Sequence, residues 1–222
     1  MTHIGNCFLT GTDTEVGKTH AACAVLRKWR TLGLRASGYK PVAAGGIVDA
    51  HGTLVNEDAA RLFEASSPGA TLSLINPICF AQPIAPHVAA QDERREITLH
   101  EIVGGYLELA ERFDRVVVEG VGGFKVPLSA ELDSADLAVA LGLPIVLVVG
   151  LRLGCINHAL LTVEAILTRG LPLAGWIGNT LNPAMARQAD TVHALQQWIP
   201  APCLGVLPWS PDAEDAVAAL AP

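Results

Sequence analysis

Lys18 and Thr19 follow Gly17 directly, at the end of the run Gly11-Thr12-Asp13-Thr14-Glu15-Val16-Gly17-Lys18-Thr19. Glycines let backbone N–H groups close around an anion, an ammonium reaches phosphate oxygens, and a hydroxyl ligates Mg²⁺. The run therefore reads as a phosphate-binding loop, with Lys18 directed to the β- and γ-phosphates and Thr19 to the metal. Five residues separate Gly11 from Gly17, one more than in the standard G-x4-G-K-[ST] pattern, so the loop is a variant. Two carboxylates suit the same chemistry. Asp58 lies in Asn56-Glu57-Asp58 at the start of a helix candidate, and Glu119 ends the apolar run Val116-Val117-Val118. With Thr19 they would complete a Mg²⁺ shell, because Mg²⁺ takes one or two carboxylates beside phosphates and water. Asp58 read alone is equally a helix-cap or first-turn acid. Lys40, ahead of Pro41 and a Gly-rich stretch, puts a second cation at a strand end, although lysine is ordinarily a surface residue.

Positioning these groups requires strands that end where they stand. Ile4 to Thr10, Arg35 to Lys40, Val116 to Val118, Pro144 to Gly150, Leu173 to Asn179 and Leu204 to Leu207 read as strands. Apolar residues at helical spacing predict a helix over Lys18 to Leu32, with others over 98–112, 134–142, 155–169 and 184–198. Fully apolar strands separated by helices predict an α/β fold with a parallel β-sheet flanked by helices on both faces. Ligands of such sheets sit at the carboxyl ends of the strands. Ala43 to Thr53 reads as a mobile loop, segment 76–96 as irregular, and the Pro-rich end as strand and loop rather than helix.

The chain of 222 residues is 50% hydrophobic and 17% charged, which argues for a sizeable core within one domain spanning 1–222. Its 15 Lys and Arg against 22 Asp and Glu leave a net charge of −7, a poor match to nucleic-acid phosphates. No apolar stretch reaches the roughly 18 residues of a membrane span, and the start lacks a basic region followed by a long apolar one. Five scattered cysteines without a CxxC point to a reducing cytoplasm and no disulfide framework or structural metal site. Cys7, Cys23, Cys79 and Cys203 read as core, and His87 and His158 as structural or hydrogen-bonded wall residues.

GTDTEVGKT at 11–19, Gly38-Tyr39-Lys40-Pro41-Val42-Ala43, Val118-Glu119-Gly120-Val121-Gly122-Gly123 and Gly154-Cys155-Ile156-Asn157-His158-Ala159 together resemble ATP-dependent dethiobiotin synthetase. The resemblance runs from residue 8 to about 210 and implies a P-loop NTPase-like three-layer sandwich. It also implies ring closure of 7,8-diaminononanoate with CO₂ or bicarbonate, through a carbamate and a carbamic–phosphoric anhydride, with ATP as co-substrate and Mg²⁺ as cofactor. Lys18 and Lys40 are then the catalytic cations. ATP falls to Glu15, Val16, Gly17, Lys18, Thr19, His20, Asp58, Glu119, Gly120, Val121, Gly122, Asn179, Thr180, Pro208, Trp209 and Ser210, with Thr19, Asp58 and Glu119 as metal ligands. Thr14, Glu15, Lys40, Ala44, Gly154, Cys155 and Asn157 fall to the substrate, the 154–157 segment serving the carboxylate tail across a homodimer interface. Glu214 and Asp215 are further candidates at the adenine end. The family often has Ser where Ala44 and Ala85 stand, and Lys where Arg152 stands.

Two rival readings share the loop. A ParA/MinD-like nucleotide-gated switch carries a lysine early in its loop, where this chain has Asp13. A cobyrinate-synthase-type amide-forming enzyme carries a glutaminase domain, for which 222 residues leave no room.

Overall fold

The computed structural model describes residues 4–210 and 216–220. In chain order the elements are β1 (Cys7–Gly11), α1 (Lys18–Thr31), β2 (Ala36–Tyr39), β3 (Val42–Ala44), β4 (Ile47–Val48), β5 (Leu54–Val55), α2 (Glu57–Ala65), α3 (Leu72–Ile75) and β6 (Ile78–Phe80). There follow α4 (Pro86–Asp92), α5 (Leu99–Arg112), β7 (Arg115–Gly123), α6 (Ser134–Leu141), β8 (Ile145–Leu151), α7 (Cys155–Thr168), β9 (Leu173–Thr180), α8 (Gln188–Trp198) and β10 (Cys203–Leu207).

Six strands pair in parallel in the order β10-β9-β8-β1-β7-β2. Every residue of β8 is buried, which explains why Pro144 to Gly150 shows no polar alternation. Val146 and Val148 pack with Leu26 and Trp29 of α1. Leu147 and Val149 point the other way, to Val163 of α7 and Leu195 of α8. On β1, Leu9 faces α1 while Phe8 joins Tyr106 and Leu109 of α5. Both faces of the sheet are thus covered, as the apolar runs require. Each buried Val or Leu contributes about 2 kcal/mol, so the sheet holds its carboxyl ends in fixed register.

That register positions the polar groups. Tyr39 pairs with Val118, so the next residue on each strand brings Lys40 beside Glu119. Leu9 pairs with Glu119 on the opposite side of β7.

Several sequence expectations need correction. Glu119 lies inside β7, because the strand continues to Gly123 and pairs again with Gly11 after a register shift. Ala43 to Thr53 is structured: it opens in β3, which pairs with β6, and the β4–β5 hairpin occupies most of the remainder. Segment 76–96 contains β6 and α4, the latter started by Pro86 at its first turn, where proline's missing N–H does no harm. The helix expected from residue 184 begins at Gln188. The Pro-rich end, through residue 210, is β10 and loop as expected, and residues 216 and 217 beyond it are helical. Glu214 and Asp215 lie outside the described residues.

Candidate active site

The loop between β1 and α1 opens the site. Gly17 caps α1 with φ 86°, and no side chain caps that helix end. Side chains do cap α2, α3, α5 and α6. The first-turn N–H groups of α1 are therefore available to an anion. The loop is braced on two sides. Arg152, just beyond β8, pairs with Asp13 at 2.6 Å, and Asn179 Nδ2 donates to the Val16 carbonyl at 3.1 Å.

Gly17 is sterically required. A Cβ there would lie 2.0 Å from Asn179 Nδ2, in a backbone region that L side chains rarely adopt. Gly17→Ala is expected to cost about 2 kcal/mol and to abolish nucleotide binding, measured by thermal melting and ADP titration. Wild-type ADP affinity in this variant would show that the loop does not hold phosphate.

A cavity of about 680 Å³ lies at the strand ends, with Lys18, Thr19, Lys40, Asp58 and Glu119 in its lining. Glu119 is fully buried. Its Oε1 accepts from Lys40 Nζ at 2.6 Å and from Thr19 Oγ1 at 2.8 Å. Lys40 also pairs with Asp58 Oδ2 at 3.2 Å. Burial opposes charge on Lys40, but the two carboxylates outweigh it and raise its pKa above the ordinary lysine value. Burial likewise opposes charge on Asp58, and Lys40 with the Thr19 hydroxyl reverses the balance, lowering its pKa. Lys18 differs. Its Nζ donates to the Asp13 carbonyl at 3.0 Å, and burial, reinforced by nearby Lys40, pushes its pKa down to about 8 against the pull of Glu119.

Mg²⁺ fits this donor set. One hydroxyl and two carboxylates are hard oxygen ligands in the small number Mg²⁺ accepts from protein. Glu119 Oε2 is buried with no hydrogen-bond partner among the described residues, a vacancy a cation would satisfy.

One wall is apolar, formed by Ala44, Pro83, Ile84, Ala85 and Pro86, while Thr14 and Glu15 line the loop side. Val121 and Gly122 border the same cavity. A second cavity of about 240 Å³ adjoins it, lined by Asn179, Thr180, Pro208, Trp209 and Ser210, with His20 bordering both. Val16, Gly120, Gly154, Cys155 and Asn157 line neither. Val16 is buried against Gly150, Gly120 against Phe8, and Cys155 in the core at the start of α7, whereas Asn157 is exposed. Cys79 and Cys203 are part-exposed, unlike Cys7 and Cys23, and all five thiols are free.

An AAA domain family model matches residues 6–217. The ATP-dependent dethiobiotin synthetase BioD of Aromatoleum aromaticum is 53% identical over 216 residues, covering 97% of this chain and 96% of that protein. The chain belongs to the ATP-dependent dethiobiotin synthetase family. The Ralstonia nicotianae protein of the same name is 50% identical over 214 residues, covering 96% of this chain and 93% of its own. Among solved structures, MinD of Aquifex aeolicus superposes with TM-score 0.56 at 15% identity, over 96% of this chain and 86% of that one. A ParA family ATPase of Chlorobium tepidum does so with TM-score 0.54 at 13% identity, over 97% and 90%. At these identities the likeness shows the fold alone: the dethiobiotin synthetase chain is built on the same layered parallel sheet as those P-loop ATPases.

Two residues at or beside these cavities escaped sequence reasoning. Asn76 donates to the Lys40 carbonyl at 2.6 Å and to the Ile78 carbonyl at 3.2 Å, fixing the turn that carries Lys40. An Asn before Pro77 is its one sequence signal. Arg61 borders both cavities, and its spacing of three from Asp58 on one helix was the available clue.

Proposed function

We propose that this chain forms dethiobiotin from 7,8-diaminononanoate, CO₂ and ATP, releasing ADP and phosphate. The observation that carries the reading is the convergence of Lys18, Lys40, Thr19, Asp58 and Glu119 on one cavity in a member of this family. One amine of the diamine takes up CO₂ as a carbamate. A carbamate oxygen attacks the γ-phosphorus, giving a carbamic–phosphoric anhydride. The second amine then attacks the carbonyl and expels phosphate, closing the cyclic urea.

The residues suit those steps. Lys40, paired with Glu119 and Asp58, keeps its proton, so it acts as a fixed cation on the carbamate and transferring phosphoryl oxygens rather than as a base. Lys18 balances the γ-phosphate from the loop side. Glu15 offers a carboxylate to a diamine nitrogen, and the wall of Pro83 to Pro86 shields an alkyl chain from water. The apolar Ala44 and Ala85 leave the diamine's polar contacts to the loop side. Thr19, Asp58 and Glu119 would hold Mg²⁺, which when bound supplies positive charge to the phosphate oxygens. Asn179, Thr180, Pro208, Trp209 and Ser210 would take the adenine end.

Gly154, Cys155 and Asn157 serve the substrate tail of a second copy in this reading, which makes the enzyme a homodimer. Two features support it: Gly154 starts α7 at φ 91° with no side-chain cap, and neighbouring Leu153 is 99% exposed. The whole chain acts as one P-loop domain, and use of ATP together with five free thiols suits the cytoplasm. Among the described residues no helix is long and apolar enough to cross a membrane.

ADP release is measured with Mg²⁺ and bicarbonate, with and without 7,8-diaminononanoate, alongside mass spectrometry for dethiobiotin. Diamine-dependent ADP release with dethiobiotin formed is expected. ADP release indifferent to the diamine would favour a switch ATPase.

A further inference from the structure

Arg61 and His20 are the two described residues that border both the larger and the smaller cavity. A nucleotide with its γ-phosphate at Lys18 and its base at Asn179 must cross the neck between the cavities with its ribose and α-phosphate. Arg61 is half-buried on α2, one turn beyond Asp58. Its backbone is anchored to α1, since the Cys23 thiol donates to its carbonyl at 3.5 Å. Its guanidinium has no ion pair and no hydrogen bond among the described residues.

The other cations around the site are engaged. Lys40 is held by Glu119 and Asp58, Arg152 by Asp13, and Lys18 donates to the Asp13 carbonyl. An unpaired guanidinium on an anchored backbone beside the nucleotide's path offers planar donors that match a phosphate edge. A ribose hydroxyl or a purine edge has no charge to balance it.

We propose that Arg61 binds the nucleotide's α-phosphate, clamping the mononucleotide portion that ATP, ADP and AMP share. The assignment rests on the nucleotide site proposed above.

Calorimetric titration of wild type, Arg61→Ala and Arg61→Lys with ADP and with AMP tests it. Arg61→Ala is expected to weaken ADP and AMP by the same factor, about tenfold, with the nucleotide-free melting temperature unchanged. Arg61→Lys keeps the charge but not the fork, so it should fall between the two. ADP affinity in Arg61→Ala equal to wild type would overturn the proposal, leaving Arg61 a solvated surface residue. A loss for ADP with AMP unaffected would also overturn it, by moving the contact to the β-phosphate. Wild-type protein that binds no ADP would instead refute the nucleotide site itself.

Discussion

Lys40→Met is expected to lower turnover about a thousandfold and to destabilise the protein at the same time. The second effect follows from burial. Lys40 Nζ and Glu119 Oε1 meet at 2.6 Å with side-chain exposures of 4% and 0%. Removing the lysine leaves Glu119 as a buried carboxylate, with the Thr19 hydroxyl as its sole described partner. Breaking a buried pair from one side costs about 3 kcal/mol, or a fall of about 8 °C in melting temperature for a chain of this size. Adding Glu119→Gln removes the stranded charge, so Lys40→Met/Glu119→Gln should recover most of the stability while turnover stays lost. Melting curves and steady-state rates on the three proteins separate the two roles. A Lys40→Met enzyme with near-normal turnover would refute the catalytic assignment, and an unchanged melting temperature would refute the buried pair as a structural element.

Lys40 also shows what was legible before the fold was known. Its type and its place ahead of Pro41 marked it, and the apolar run from Pro144 to Gly150 announced a strand buried on both faces. What could not be read was the pairing. Lys40 and Glu119 are far apart in sequence and meet because β2 runs parallel to β7 with Tyr39 opposite Val118. Register of that kind is set by side chains packing from several elements, not by local pattern. Glu119 was placed at a strand end for the same reason: the glycines after it look like a loop, yet Gly123 pairs with Gly11. The β4–β5 hairpin was invisible because its strands are two residues each, with Ile47 and Val48 exposed, so no alternation marks them. Arg61 was missed because its relevance depends on how α2 leans on α1, a tertiary fact recorded in the bond between Cys23 and the Arg61 carbonyl.

Lys18→Met should match Lys40→Met in lost turnover and oppose it in stability. Lys18 is buried, yet among the described residues no carboxylate forms an ion pair with it: its Nζ donates to the Asp13 carbonyl at 3.0 Å, and burial outweighs the more distant pull of Glu119 and brings its pKa down to about 8. The folded state therefore binds this proton more weakly than the unfolded chain does. The resulting penalty is complete below about pH 8 and lifts as pH rises toward the ordinary lysine value. A methionine in its place carries no such penalty, so the variant should melt no lower than wild type at pH 7. The same proton reports on nucleotide binding. Phosphate oxygens arriving at Nζ favour the charged form, so wild-type protein above pH 8 should take up a proton as Mg²⁺ and ADP bind. Uptake attributable to Lys18 should be close to nil at pH 6.5 and approach about one proton at pH 9, and Lys18→Met should lack it. Calorimetry in buffers of differing ionisation enthalpy reads this number directly. Equal uptake in wild type and variant at pH 9 would show that Lys18 is not the group that meets the phosphates, whatever the variant does to the rate.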